Sequence, residues 1–180
     1  PPHRTGPRRL VARIERLAVR GAFVIARGAR THVDVLVAEI HDGGNCGRGE
    51  ATPIYYHGDT AETALAAALG AGDAIAAGAS RADLLALLPA GAARNAIDCA
   101  LWDLESRQSG RRVWQMLGLP PPQPMLTAYT ISLADPAAMA AAAAAVGGRE
   151  LLKIKLGGDG GPQADVERAA AVRRAAPDAR

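Results

Sequence analysis

Residues 151–157 read Leu-Leu-Lys-Ile-Lys-Leu-Gly. On a strand, side chains alternate between faces. Lys153 and Lys155 would then share one face, and Leu152, Ile154 and Leu156 the other. Two ammonium groups so placed repel each other. A positive neighbour lowers a lysine's pKa toward the range where its neutral amine can accept a proton. The chemistry on offer is general-base catalysis. By itself the pair is weak evidence, because lysines on the wet face of an amphipathic strand are commonplace. Its meaning depends on the elements around it.

Other reactive side chains give less. Cys46 and Cys99, the two cysteines, fit neither a metal-ligand spacing nor a disulfide framework. Cys99 lies in a strongly helical stretch, where a small buried thiol is expected. His3, His32, His41 and His57 are isolated and read as non-catalytic. Glu50, Asp98, Asp103 and Glu105 read as structural, and Trp102 as packing. The run Gly157-Gly158-Asp159-Gly160-Gly161 lacks the lysine and hydroxyl ending of a phosphate loop.

Bulk properties narrow the classes. The chain has 180 residues, 49% of them hydrophobic and 3% aromatic, so a sizeable core must rest on alanine and aliphatic side chains. The net charge is +3, and the arginine pairs are short, scattered and free of interleaved aromatics. No nucleic-acid partner is expected. No apolar run is long and uncharged enough for a membrane span, no secretory signal is visible, and a reducing cytoplasm is the simplest compartment.

The elements come next. Residues 10–19 and 32–40 alternate like strands, and valine enrichment supports the second. His41-Asp42-Gly43-Gly44-Asn45 reads as a hairpin turn, with 46–51 returning as a glycine-rich strand. Asp59, with Glu62 three residues on, predicts a helix start, and that helix runs to about Gly70. A second helix covers about 81–88. A third carries Ala93, Ala96, Ile97, Ala100, Leu101 and Leu104 on one stripe and ends at Gly110. Pro120-Pro121-Pro122 marks a boundary. Beyond it, 125–132 reads as a strand, and Asp135-Pro136 opens a helix that ends at Gly147-Gly148. Residues 151–156 read as the next strand. A last helix from Pro162 carries Val166, Ala169, Ala170 and Val172. This order predicts parallel strands joined by right-handed crossovers.

Four segments together carry a resemblance: Arg94 to Glu105 with its Ala-Leu-Trp-Asp-Leu-Glu helix, 110–118, Thr127-Ala128-Tyr129-Thr130-Ile131-Ser132, and the Lys-x-Lys strand. The chain resembles the enolase superfamily, in its muconate-lactonising branch and, within that, the dipeptide epimerases. The resemblance implies an α/β fold. An N-terminal α+β capping domain would be followed by the first two βα units of an incomplete (β/α)8 TIM-type barrel, with the site at the C-terminal strand ends. The implied layout is a disordered leader at 1–9, the cap at 10–120 and a truncated barrel start at 121–180.

The implied chemistry is racemisation or epimerisation of a dipeptide or N-acyl amino acid. A proton is taken from the carbon next to a carboxylate, and a bound Mg²⁺ stabilises the enediolate. Lys155 would be the base. Lys153 would hold the substrate carboxylate and depress its neighbour's pKa. Thr130 would contact the substrate, and Arg27 in the cap loop would pair with a distal carboxylate. A lysine on a later strand would serve the opposite face. The Mg²⁺ ligands are expected beyond Arg180, so no metal ligand is assigned here and this chain alone is expected to be inactive. Tyr56-His57 stand where related sequences favour an arginine–tyrosine pair. Rival readings are a muconate-type cycloisomerase or o-succinylbenzoate synthase and, from another class, a non-catalytic fragment or docking subunit. A small-molecule substrate is the expected partner, and a homo-oligomer is open.

Overall fold

The computed structural model describes residues 8–26 and 28–180. Three strands open the chain: β1 (Arg9–Ile25), β2 (Gly28–Asp42) and β3 (Asn45–Ala51). They form one sheet in sequential order. Gly43 and Gly44 join β2 to β3, both at positive φ (56° and 83°). A two-residue loop with that geometry matches the twist of the strands it links. It sets an antiparallel register that runs from Leu36 opposite Ala51 to Asp42 opposite Asn45. Arg9 opens β1 and Arg8 donates to the buried Asp42 at 2.9 Å, so order begins earlier than the expected leader allows. His3 lies outside the described residues.

Five helices follow: α1 (Ala61–Gly70), α2 (Gly72–Ala76), α3 (Arg81–Leu87), α4 (Ala92–Ser109) and α5 (Val113–Met116). Three differ from expectation. The cap of α1 is Thr60, which shares a capping box with Thr63; Asp59 stands one residue too early. Asp59 instead accepts from the Ala92 amide at 3.0 Å and so anchors the start of α4. The short α2 and α5 carry too few periodic residues to register as helices in the sequence.

The expected stripe of α4 is buried as read: Ala93, Ala96, Ile97, Ala100, Leu101 and Leu104. Leu36, Ala38 and Ile40 of β2 join it in one core with Ile75 and Leu84. Gly47 and Gly49 let β3 lie directly on α4. A Cβ at Gly47 would collide with the Ala100 carbonyl oxygen, and one at Gly49 with that of Ala96. Cys99 is exposed, against expectation, because the inward face of α4 is already filled by the small residues that β3 needs.

The chain divides into two compact units. Among the described residues, the first contains 8–17 and 33–122; the second contains 18–26, 28–32 and 123–180. In the second, β4 (Tyr129–Ile131), α6 (Pro136–Ala145), β5 (Leu152–Ile154) and α7 (Gly161–Ala175) alternate. Strands β4 and β5 are parallel, as the element order predicts, with Thr130 opposite Lys153 and Ile131 opposite Ile154. Both are shorter than expected. Residues 125–128 form no ladder, and Met125 is 87% exposed. Asp135 caps α6 by accepting from Ala138 at 2.8 Å, with Pro136 at the first position. Ile131, Met139, Ala143 and Val172 form this unit's core. Val166 is exposed; Arg168 fills the inner side of α7 there, bonding the Ala134 carbonyl and Asp165.

Candidate active site

The site begins with β5. Leu152 and Ile154 pack toward the core of the second unit, leaving Lys153 on the other face. Lys155 lies one residue past the strand. Its amide still bonds the Ile131 carbonyl at 3.0 Å, so the ladder continues and the alternation holds. Lys153 and Lys155 thus share a face, beside Thr130 on the neighbouring strand. The Lys155 amine has its pKa held below the ordinary lysine value. Partial desolvation is the main cause, and the positive charge of Lys153 and a hydrogen bond with it add to the effect.

Residues 22–24 supply the surroundings. The backbone at Val24 accepts from the Leu133 amide at 3.0 Å. The Ser132 hydroxyl sits 3.4 Å from both the Val24 nitrogen and the Ala22 oxygen. This pins Phe23, whose ring centroid lies 5.6 Å from the Lys155 ammonium. A ring face at that distance favours the charged amine and offsets part of the desolvation. Asp165 accepts from the Gly157 amide at 3.0 Å and pairs with Arg168, which fixes the turn after β5.

Lys153, Lys155 and Thr130 are therefore brought together in one unit. Arg27 lies outside the described residues. Phe23 and Ser132 are site residues that sequence reasoning missed. Residues 22–25 are a continuous apolar run with no alternation, and nothing local ties them to the bond between Val24 and Leu133. Glu105 pairs with Arg81 at 3.0 Å, and the Arg81 guanidinium lies 3.3 Å from the Trp102 ring centroid; both are structural. Asp103 accepts from the Arg48 amide and from Arg107.

This alternation of parallel strand and helix, with amines at a strand end, follows a sheet-and-helix unit. The model described as "Mandelate racemase / muconate lactonizing enzyme, N-terminal domain" matches residues 9–118. The chain belongs to this family. An enolase family member from Agrobacterium tumefaciens, with homology to dipeptide epimerases and solved with bound sodium and L-Ala-L-Glu, superposes with a TM-score of 0.90. It is 51% identical, over 97% of this chain and 52% of its own. The L-Ala-D/L-Glu epimerase of Escherichia coli (strain K12) is 38% identical over 87% of this chain and 48% of its own length. A dipeptide epimerase from Cytophaga hutchinsonii, solved with Mg and D-Ala-L-Val, is 28% identical with a TM-score of 0.82, over 94% of this chain and 48% of its own. The chain spans about half the length of the curated relatives it matches over most of its own length.

Structures of relatives hold Mg or sodium. In this chain, the described residues of the second unit bring no three metal-binding side chains together. Asp165 is committed to Gly157 and Arg168. The residues present do not fit a hard cation that takes several oxygen ligands. No helix among the described residues is long and apolar enough to cross a membrane.

Proposed function

We propose that the protein carrying this chain is an epimerase or racemase that moves the proton α to a carboxylate, on a dipeptide or an N-acyl amino acid. The observation that carries the reading is the shared face of Lys153, Lys155 and Thr130, with the Lys155 amine depressed in pKa. The neutral Nζ of Lys155 takes the α-proton. The C–H electron pair moves into the carboxylate, and Lys153 pairs with the oxygens that gain charge. Thr130 contacts the substrate, and Arg27 pairs with a distal carboxylate. Proton removal at one face is the half-reaction these residues perform. The named activities of the relatives support the class: L-Ala-D/L-Glu and D-Ala-D/L-Ala epimerases, and an N-acetyl-D-glutamate racemase. The layout that goes with this reading is a cap over about 10–120 and a barrel start over 121–180.

The test is proton exchange. The intact protein carrying this chain is incubated in D₂O with L-Ala-L-Glu and with an N-acetyl amino acid, and the α-proton signals are followed by NMR. Loss of an α-proton signal supports the reading; retention of every α-proton in the panel refutes it.

A further inference from the structure

The β2–β3 hairpin carries a cluster unrelated to proton abstraction. Alternation puts Glu39 and His41 on the face of β2 opposite Leu36, Ala38 and Ile40. The hairpin register sets Cys46 directly across from His41. The three side chains converge: one ligand atom from each lies within 4.8 Å of the other two. The His41 Nε2 is 3.7 Å from a Glu39 carboxylate oxygen and 3.8 Å from the Cys46 sulfur. Around a tetrahedral zinc ion, donor atoms at ordinary bond lengths stand about 3.3–3.6 Å apart. The two distances to His41 are already within a few tenths of an ångström of that spacing, and the Glu39 and Cys46 donors lie within 4.8 Å of each other.

We propose that Glu39, His41 and Cys46 form a binding site for a borderline-soft divalent cation of the zinc class. Thiolate, imidazole and carboxylate are the donors such an ion selects, and a magnesium ion would not take the sulfur. Binding replaces the Cys46 S–H bond with a metal–sulfur bond and releases that proton to solvent. His41 binds through the Nε2 lone pair with its proton on Nδ1. All three residues are partly buried, and three protein donors leave a fourth position for water.

The surrounding charges are mixed. Arg48 at 2.9 Å and then Arg13 at 3.3 Å hold the Glu39 Oε1 atom. They keep this carboxyl below the usual carboxylate range and so ionised, while Oε2 faces His41. Their positive charge also opposes a cation, which limits affinity without removing a donor. The bound ion would staple β2 to β3 beside their turn and stabilise the first unit by linkage.

The test uses the protein carrying this chain with Co²⁺ as a spectroscopic probe and Zn²⁺ as competitor. The expected result is a near-ultraviolet sulfur-to-cobalt band that saturates at one Co²⁺ per chain and that Zn²⁺ abolishes. Zn²⁺ should raise the thermal midpoint and release about one proton per ion from the thiol. Cys46→Ser should remove the band and that proton, and Cys46→Ser and His41→Ala should each weaken Zn²⁺ binding about a hundredfold or more. Circular dichroism of each variant checks that the hairpin folds; should one fail, the wild-type band and proton count still decide. No sulfur-to-cobalt band in folded wild-type protein, or Zn²⁺ affinity unchanged in folded Cys46→Ser, would overturn the proposal.

Discussion

Lys153 and Lys155 differ in kind although they differ little in position. Both sit on one face; Lys155 lies past the end of the strand beside the Phe23 ring, its amine held below the ordinary lysine value by desolvation first and by Lys153 second. A base works in its neutral form, so the rate of proton abstraction should rise with pH as Lys155 loses its proton. Lys153→Met removes a positive neighbour and should move that rise to higher pH. Because desolvation is the larger cause, the shift should be partial. A pH–rate profile measures it; a rise unmoved or moved to lower pH would show that Lys153 does not act on its neighbour. Arg27→Ala should raise KM for dipeptides with an acidic distal residue while leaving kcat nearly unchanged, and steady-state kinetics against a neutral dipeptide decides this. At this scale the pair was legible, because strand alternation alone puts two lysines together. Ser132 and Phe23 were not, since their roles depend on a pairing between positions 22–24 and 131–133 that no local pattern encodes.

At the scale of elements, the contact between β3 and α4 depends on the absence of side chains. Gly47 and Gly49 face the Ala100 and Ala96 carbonyl oxygens, which belong to a helix backbone and cannot rotate away. Gly49→Ala should therefore destabilise the first unit by about 3 kcal/mol, the upper end of the overpacking range. Denaturant unfolding measures it, and a loss under about 0.5 kcal/mol would contradict the close approach. Asp59→Ala should cost about 1 kcal/mol through the lost Ala92 bond. The α4 stripe was legible because Ala93, Ala96, Ile97, Ala100, Leu101 and Leu104 recur at helical spacing over about three turns. The start of α1 was misread by one residue because Asp59, Thr60 and Thr63 are all competent caps, and only the fold assigns Asp59 to another helix. Strand β4 was overextended because nothing in the composition of residues 125–128 shows that they have no ladder partner.

At the scale of the molecule, the first unit carries most of the family match and the second carries the lysines. The parallel order of β4 and β5 was legible from the strand–helix–strand sequence alone, because a crossover helix leaves no other arrangement. The grouping of residues 18–32 with the second unit was not legible, since it places distant segments of chain together. The measurement that bears most directly on the account is α-proton exchange in D₂O by the intact protein carrying this chain, wild type against folded Lys155→Ala. Wild-type protein should wash the α-proton out of its dipeptide or N-acyl amino acid substrate, and Lys155→Ala should lose exchange at the face Lys155 serves. Undiminished exchange in that variant would contradict it.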